Sequence, residues 1–331
     1  MKYVLIISDD KEMSTDHVID WLNYYKAKYI RLSRQNIIRI KRIKIGFNNT
    51  SFELYYKTFD NKVAHLKSED LLSSWYRRSI INLEIPYLKN NTNDILNELF
   101  QSNQNENTTT REFIDYYLKF RLPNSISNYQ DNDQNKLINL FLAKEIGLKT
   151  PDTIISSLRS EVQKFNKLFA DGIITKPSAQ GAPFGEQSKL NLYTTLLTFE
   201  EINQMPESFP VSCFQENIPK LFEIRVFYLN RKMYSMAIFS QNDSQTKVDF
   251  RDYNSEKPNR TVPFKLPKKI KLLLIQYMDM RKLNCGSIDL LVNEQKEYVF
   301  LEVNPVGQFQ QVSSPCNYKL EKLIAKKLIN S

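Results

Sequence analysis

The segment Tyr298–Phe309, YVFLEVNPVGQF, reads first as a strand running into a turn. Tyr298, Val299, Phe300, Leu301 and Val303 favour an extended chain, and Pro305 with Gly307 ends it. Side chains alternate along a strand, so Glu302 and Asn304 share one face. Upstream, Gly286–Val292 is a second extended run, and the two runs predict a hairpin. If Val292 pairs with Val299 across a six-residue loop, Asn293–Tyr298, then Asp289 lies opposite Glu302. One face would then present Asp289, Glu302 and Asn304, oxygen donors without nitrogen bases or sulfur. Such a set suits Mg²⁺, which takes one or two carboxylates together with phosphate oxygens. Taken alone, a charged pair on the wet face of a hairpin is the better explanation.

Two further segments change the balance. In GIITKPSAQGAPFGEQSKL (Gly172–Leu190) a β-branched strand ends at Lys176-Pro177 and a small, glycine-containing loop follows. A strand-end lysine beside free backbone N–H groups suits phosphates. No GxxxxGK[ST] pattern occurs, and a surface lysine before a turn would read the same way. In SCFQENIPKLFEIRVFYLN (Ser212–Asn230) a strand ends at Gln215-Glu216-Asn217-Ile218, Pro219 breaks it, and Phe222–Leu229 begins another. Such a strand–break–strand hinge can offer an adenine ring one donor and one acceptor. Glu223 and Arg225 share a face, where an exposed salt bridge would contribute little.

Composition narrows the class. The 331 residues allow two or three domains, and 41% hydrophobic with 25% charged residues fits a globular protein. No apolar run is long enough to span a membrane. Cys213, Cys285 and Cys316 lie far apart with no CxxC, which points to a reducing, cytoplasmic setting and away from zinc or disulfides. With only 2 histidines, a His-based triad or multi-His metal site is not expected. The net charge of +9 raises nucleic acid as a partner. The lysines are scattered among acids, however, and RIKRIK (Arg39–Lys44) and KLPKKIK (Lys265–Lys271) read as solvated surface. Of 7 glycines, Gly172, Gly181 and Gly185 fall in one segment, while Gly286 and Gly307 bracket the hairpin. Both are places where backbone approaches something closely.

Along the chain, Tyr3–Ile7 is a predicted strand and Ser14–Tyr25 a helix capped by Ser14 or Thr15. Tyr29–Leu32, Arg39–Ile45, Ser51–Tyr56 and Lys62–Leu66 are further strands. Trp75 in SSWYRRS reads as core. The polar stretch Asn90–Thr110 is expected to hold a loop, and Arg111–Arg121 a helix. Leu122–Asn128 reads as a linker. An Asp131-capped helix with Leu137, Leu140, Phe141 and Ile146 stops at Gly147, and Pro151 opens a strand. A helix near Leu158–Ala170 leads to the strand Gly172–Lys176. Strands dominate from Val211 to Phe239, Leu266–Leu283 is helical, and Asn317–Asn330 forms a terminal helix.

The order of the parts carries more than each part. A phosphate lysine, a glycine loop, the QExI hinge, the ExR strand and Asp…ExN resemble the ATP-grasp superfamily from about Asp131 onward. With WYRR near residue 75, NIPKLFEIRVF, DFRDY (Asp249–Tyr253) and FLEVNPVGQF, the chain resembles the peptide maturases of grasp-with-spasm systems. These are relatives of the microviridin-type (graspetide) ligases, and DHVIDWLNYY…YIRLS extends the likeness over nearly the whole chain.

That resemblance implies an α/β (α+β) ATP-grasp fold with a Rossmann-like N-terminal domain, residues 1–122. A central subdomain, 123–214, and a C-terminal subdomain, 215–331, would enclose ATP. It implies ATP and Mg²⁺ as cofactors, a ribosomally made precursor peptide with acidic core residues as substrate, and a homodimer. Carried over by motif, Lys176 would contact phosphates with Lys136 as a second, and Gly181 would sit in the closing loop Ala179–Gly185. Gln215, Glu216 and Ile218 would border adenine, and Glu223 the ribose. Asp289, Glu302 and Asn304 would hold Mg²⁺. Arg225 would face the transferring phosphoryl group, with Arg251 placed similarly. Arg77 or Arg78 would meet the acidic peptide. Two other readings stay open: a ligase that adds an amino acid to a peptide tail, and a basic nucleic-acid-binding protein on a non-catalytic shell. The second would need a cationic groove with interleaved aromatics, which the sequence lacks.

Overall fold

The computed structural model describes residues 2–58, 60–84, 94–132, 135–178, 194–241 and 258–330. The chain divides into two compact units, 1–133 together with 319–331, and 134–318.

The first unit opens with β1 (Tyr3–Ser8), α1 (Met13–Tyr24) and β2 (Tyr29–Leu32). An antiparallel run follows, β3 (Ile37–Ile45), β4 (Thr50–Lys57) and β5 (Val63–Lys67), then β6 (Leu71–Arg77) and β7 (Asn82–Leu83). β2-β1-β6 form a parallel sheet, and β5-β4-β3-β7 form a second sheet. Val18 and Leu22, one turn apart on α1, are fully buried, as are Val4 and Ile6 of β1. Trp75 belongs to this core at 2% exposure.

Several expectations for this unit need correction. α1 is capped by Glu12; Ser14 and Thr15 lie inside it and are buried. Both hydroxyls are drawn inward, Ser14 to the Glu12 carboxylate and Thr15 to Ser8 at 2.8 Å. The polar stretch expected to be a loop is helical from Asp94 onward, because α2 runs Asp94–Arg121. Its later turns bury Ile114 and Leu118, so packing of that stripe overrides the low propensity of Asn and Thr. Residues 90–93 of that stretch lie outside the described residues. The supposed linker Leu122–Asn128 is tied to the sheet, with Ile126 bonding the backbone of Ser74 and Tyr76 at 2.8 and 3.0 Å. The terminal helix, Leu320–Ile329, also belongs to this unit. Its Leu328 carbonyl accepts from Ser73 Oγ at 2.7 Å, and Lys322 sits 4.8 Å from the Trp21 ring.

The second unit begins with α3 (Lys136–Glu145), capped by Asn135, whose side chain accepts from the N–H groups of Leu137 and Ile138. Asp131, the expected cap, instead sits in a 3₁₀ turn and pairs with Lys119 at 2.7 Å. Phe141 of α3 is exposed, and Gly147 ends the helix at φ +87°. β8 (Thr153–Leu158), α4 (Arg159–Asn166), β9 (Ile173–Thr175), β10 (Thr195–Leu197), α5 (Phe199–Gln204) and β11 (Ser208–Glu216) follow. Their strands form an antiparallel sheet, β10-β9-β11-β8.

A second antiparallel sheet, β14-β13-β12-β15-β16, is built from β12 (Lys220–Leu229), β13 (Lys232–Phe239), β14 (Arg260–Phe264), β15 (Cys285–Asn293) and β16 (Tyr298–Asn304). α6 (Lys268–Met280) packs Leu274, Tyr277 and Met278 on Ile224, Val226, Ile288, Leu290 and Phe300 of one face. After Gly307, α7 (Gln310–Cys316) forms a helix that the sequence reading did not expect. Among the described residues, no helix is long and apolar enough to cross a membrane.

The units do not coincide with the three-part division expected from sequence, since the last helix returns to the first unit. The two sheets of the second unit, spanning 153–216 and 220–304, meet near the expected boundary at 215.

Candidate active site

The face of the five-stranded sheet turned away from α6 collects the predicted ligands in rows. Arg225 of β12 pairs across to Asp289 of β15, and Asp289 pairs across to Glu302 of β16. Arg225 Nη1 donates to both Asp289 carboxylate oxygens, at 3.0 and 2.9 Å. Their side chains are 6% and 13% exposed, so this is a largely desolvated ion pair. At the other end of the row, Lys136 Nζ from the first turn of α3 lies 3.3 Å from Glu302 Oε2. Two cations thus flank two carboxylates. Like charges directly opposite on neighbouring strands are destabilising, so Asp289 beside Glu302 is a pairing that a cation would relieve.

The neighbouring rows extend the face. Ser287 stands opposite Asn304, and Asn304 Nδ2 lies 3.4 Å from Glu302 Oε1. On the other side, Glu223 stands opposite Leu291. Its carboxylate accepts from Lys220 Nζ at 2.7 Å and from Ser240 Oγ at 2.7 Å.

Two β-bulges set these rows. The hairpin register runs Val292–Tyr298, Leu291–Val299 and Leu290–Phe300, one residue off the spacing assumed from sequence. Asn293 N accepts no such slack: it donates to the Glu297 carbonyl at 3.1 Å, and the loop is Glu294–Glu297. An extra residue, Leu301, restores the Asp289–Glu302 pairing. The bulge also reverses the alternation, so Phe300 packs 4.9 Å from the Tyr277 ring in the core while Glu302 faces the site. A second bulge, at Leu221, advances β12 by one residue and puts Lys220 on the face of Glu223. Period-two counting places those two residues on opposite faces, which is why Lys220 was not expected here.

Beyond Asn304, Gly307 N donates back to the Asn304 carbonyl at 3.1 Å. Gly307 has φ +63°, and a Cβ there would stand 3.0 Å from the Phe227 ring. A Cβ at Gly286 would stand 3.3 Å from the Asn304 carbonyl. The close approach that these two glycines permit is of the turn onto its own sheet.

Lys176 and the hinge residues adjoin the four-stranded sheet. Lys176 follows β9, and its N–H donates to the Cys213 carbonyl at 3.5 Å. Lys136 Nζ also reaches the adjacent Pro177 carbonyl at 3.5 Å. Burial pushes the Cys213 thiol up, while the ammonium groups of Lys176 and Lys136 pull it down. Both ammonium groups therefore lie within electrostatic reach of Cys213. In the hinge, the Gln215 side chain donates to Thr153 Oγ1 at 2.8 Å, and the Glu216 carboxylate accepts from Asp152 N at 3.2 Å. The backbone N–H groups of Glu216 and Asn217 bond to Asp152 and Gly172. Ile218 N–H makes no hydrogen bond among the described residues.

Gly181 and Arg251, with the closing loop and the DFRDY segment, lie outside the described residues. Arg77 is not at the surface where a peptide could meet it. It is 2% exposed, and its guanidinium bonds Ser14 Oγ at 3.1 Å and Glu12 Oε1 at 3.3 Å. Arg78 is exposed, in a left-handed conformation at φ 57°.

Among the described residues, no three His, Cys, Asp or Glu side chains gather to hold a metal. The candidate set is two carboxylates and an amide. That suits Mg²⁺ shared with phosphate oxygens better than an all-protein cage. The buried, unpartnered Ser287 hydroxyl beside Asn304 fits a site built around a further group.

Solved structures of similar fold cover the whole chain. The macrocyclase MdnC of Microcystis aeruginosa MRC, bound with its precursor peptide MdnA, is 25% identical with a TM-score of 0.75, covering 99% of this chain and 100% of that one. A RiPP-associated ATP-grasp ligase of Chryseobacterium gregarium, in complex with ADP and a leader and core peptide, is 21% identical. Its TM-score is 0.78, over 99% of this chain and 96% of that one. The ATP-grasp ligase PsnB, complexed with a variant of its minimal precursor, Mg and ADP, is 13% identical with a TM-score of 0.66, over 99% and 98%. No family model matches the chain, and no curated protein sequence does. The chain shares the fold of the RiPP ATP-grasp ligases and macrocyclases, as its motifs implied.

Proposed function

We propose that this chain is an ATP-dependent ligase that closes rings in a ribosomally made precursor peptide. The observation that carries the reading is the row Arg225–Asp289–Glu302–Lys136, assembled on a fold that, in the similar structures, holds ADP, Mg and precursor peptides.

A carboxylate is a poor electrophile, and phosphorylation makes phosphate its leaving group. An oxygen of a peptide Asp or Glu side chain bonds to the γ-phosphorus of ATP, and the bond to the β–γ bridging oxygen breaks, releasing ADP. A hydroxyl or amine of the same peptide then bonds to the acyl carbon and loses its proton, and inorganic phosphate departs. The ring closes as an ester or an amide, with net loss of one water.

Two anions must first be brought together. Lys136 and Lys176 would meet the phosphates, and Arg225 would stabilise charge on the transferring group. Asp289, Glu302 and Asn304 would hold Mg²⁺, which supplies charge neutralisation on the phosphate oxygens. As phosphates enter, the cations now paired with Asp289 and Glu302 gain a second anionic partner. Glu223, held by Lys220 and Ser240, is oriented to accept from ribose hydroxyls, and Ile218 N–H to donate to adenine. Arg251 and Gly181 keep the phosphoryl-facing and loop roles that their motifs imply. Arg78, the exposed arginine of the WYRR segment, would meet the acidic core of the peptide. Within this reading the chain is a cytoplasmic homodimer with a Rossmann-like N-terminal domain and two ATP-enclosing subdomains, supported by the resemblance.

Intact mass of a candidate precursor after incubation with enzyme, ATP and Mg²⁺ tests the proposal. Loss of one or more waters is expected, and an unchanged mass with a cognate precursor overturns it. A mass gain would instead identify ligation of a free amino acid, which the same catalytic residues could perform.

A further inference from the structure

Ser287 is fully buried, at 0% exposure, and its Oγ has no hydrogen-bond partner among the described residues. Buried hydroxyls are almost always satisfied, so an unmade bond at this depth calls for a reason. Position supplies one. Ser287 stands directly opposite Asn304 on the neighbouring strand and two residues before Asp289, on the same face. Asn304 has its own weak arrangement, a long 3.4 Å contact from Nδ2 to Glu302 Oε1. An amide bound that way turns its hydrogen, not its oxygen, toward the carboxylate that would share the cation.

We propose that Ser287 is the positioning residue for Asn304. With a divalent cation between Asp289 and Glu302, the Asn304 amide presents its oxygen to the cation and donates from Nδ2 to Ser287 Oγ. The contact to Glu302 is exchanged for one to serine, and the buried hydroxyl is satisfied only in the loaded state. The amide nitrogen and the hydroxyl are matched as donor and acceptor. The backbones pack closely here, since a Cβ added at the neighbouring Gly286 would stand 3.3 Å from the Asn304 carbonyl. The inference rests on the metal assignment made above.

The test is ADP binding by calorimetry, with Mg²⁺ and with EDTA, alongside melting temperatures under both conditions. For the wild type, Mg²⁺ should strengthen ADP binding; no Mg²⁺ effect would refute the metal assignment itself. In Ser287→Ala, binding in EDTA should match wild type, while the strengthening by Mg²⁺ falls about 10-fold, as for other outer partners of metal ligands. Its melting temperature without metal should equal or exceed that of wild type, because an unsatisfied hydroxyl has been removed. Asn304→Ala should lose the same enhancement, and adding Ser287→Ala to it should cost nothing more. An undiminished Mg²⁺ effect in Ser287→Ala, an equal loss in EDTA, or additive losses in the double variant would overturn the proposal.

Discussion

Asp289 and Glu302 face each other across two strands although the turn joining those strands is one residue tighter than an even register allows. The surplus residue, Leu301, is held in a bulge between the turn and the site. Two carboxylates are thereby aligned with Arg225 on one flank and Lys136 on the other.

Glu302→Gln should preserve the fold, since the side chain is only partly buried and keeps its shape. Turnover should fall by about 10²-fold or more, in the range seen when a group stabilising transition-state charge is removed. ADP affinity in EDTA should change little. Product formation near the wild-type rate would remove Glu302 from the site.

Arg225→Ala should destabilise the second unit by about 3–5 kcal/mol, because it removes the guanidinium that donates to both oxygens of the largely desolvated Asp289 carboxylate. Pairing it with Asp289→Asn should recover most of that stability in denaturant unfolding and none of the turnover. Equal losses in the single and double variants would show that the ion pair is not what couples the strands.

Arg77 and Arg78 should separate cleanly. Arg77→Met breaks the internal ties to Glu12 and Ser14 and should lower the melting temperature. Arg78→Ala should weaken precursor binding while leaving ADP affinity intact. Unchanged precursor affinity would exclude Arg78 from peptide recognition.

Asp115 gives the first unit a pH dependence. It is 2% exposed, its Oδ2 has no hydrogen-bond partner among the described residues, and burial pushes its carboxyl up to about 7 against the pull of Arg111, from an ordinary value of 3.8. The folded state therefore holds a proton between those values that the unfolded state has lost. Its stabilising contribution is complete below 3.8, declines as pH rises, and is gone above about 7. Denaturant unfolding at pH 5 and pH 8 should show wild type losing stability relative to Asp115→Asn. A constant difference between the two proteins across that range would contradict the assignment.

Most strands, β1 to β5 and the β15–β16 hairpin among them, were legible because they rest on local signals: β-branched runs, breaks at Pro and Gly, and alternation; β6, β7, β10 and β14 were not expected. What was not legible followed from packing. The Asp289–Glu302 pairing was anticipated through a register that does not exist near the turn, and only the bulge at Leu301 makes both true. Lys220 was missed because the bulge at Leu221 defeats period-two counting. Asn135 takes the cap assigned to Asp131, since either residue type can serve and only the three-dimensional path decides. Arg77 looked like a surface arginine because nothing local records that Glu12 and Ser14 come to meet it. The Asn- and Thr-rich stretch forms a helix because its far end has a core to bury.

The terminal helix, bonded through Leu328 to Ser73 and laid beside Trp21, has a consequence for biosynthesis. Domains usually fold in the order in which they leave the ribosome. Here the unit that starts first lacks a structural member until residue 329 has been translated, whereas the unit spanning 134–318 is complete before then. The nascent chain must carry the sheet β2-β1-β6 without its terminal helix through the synthesis of everything that follows.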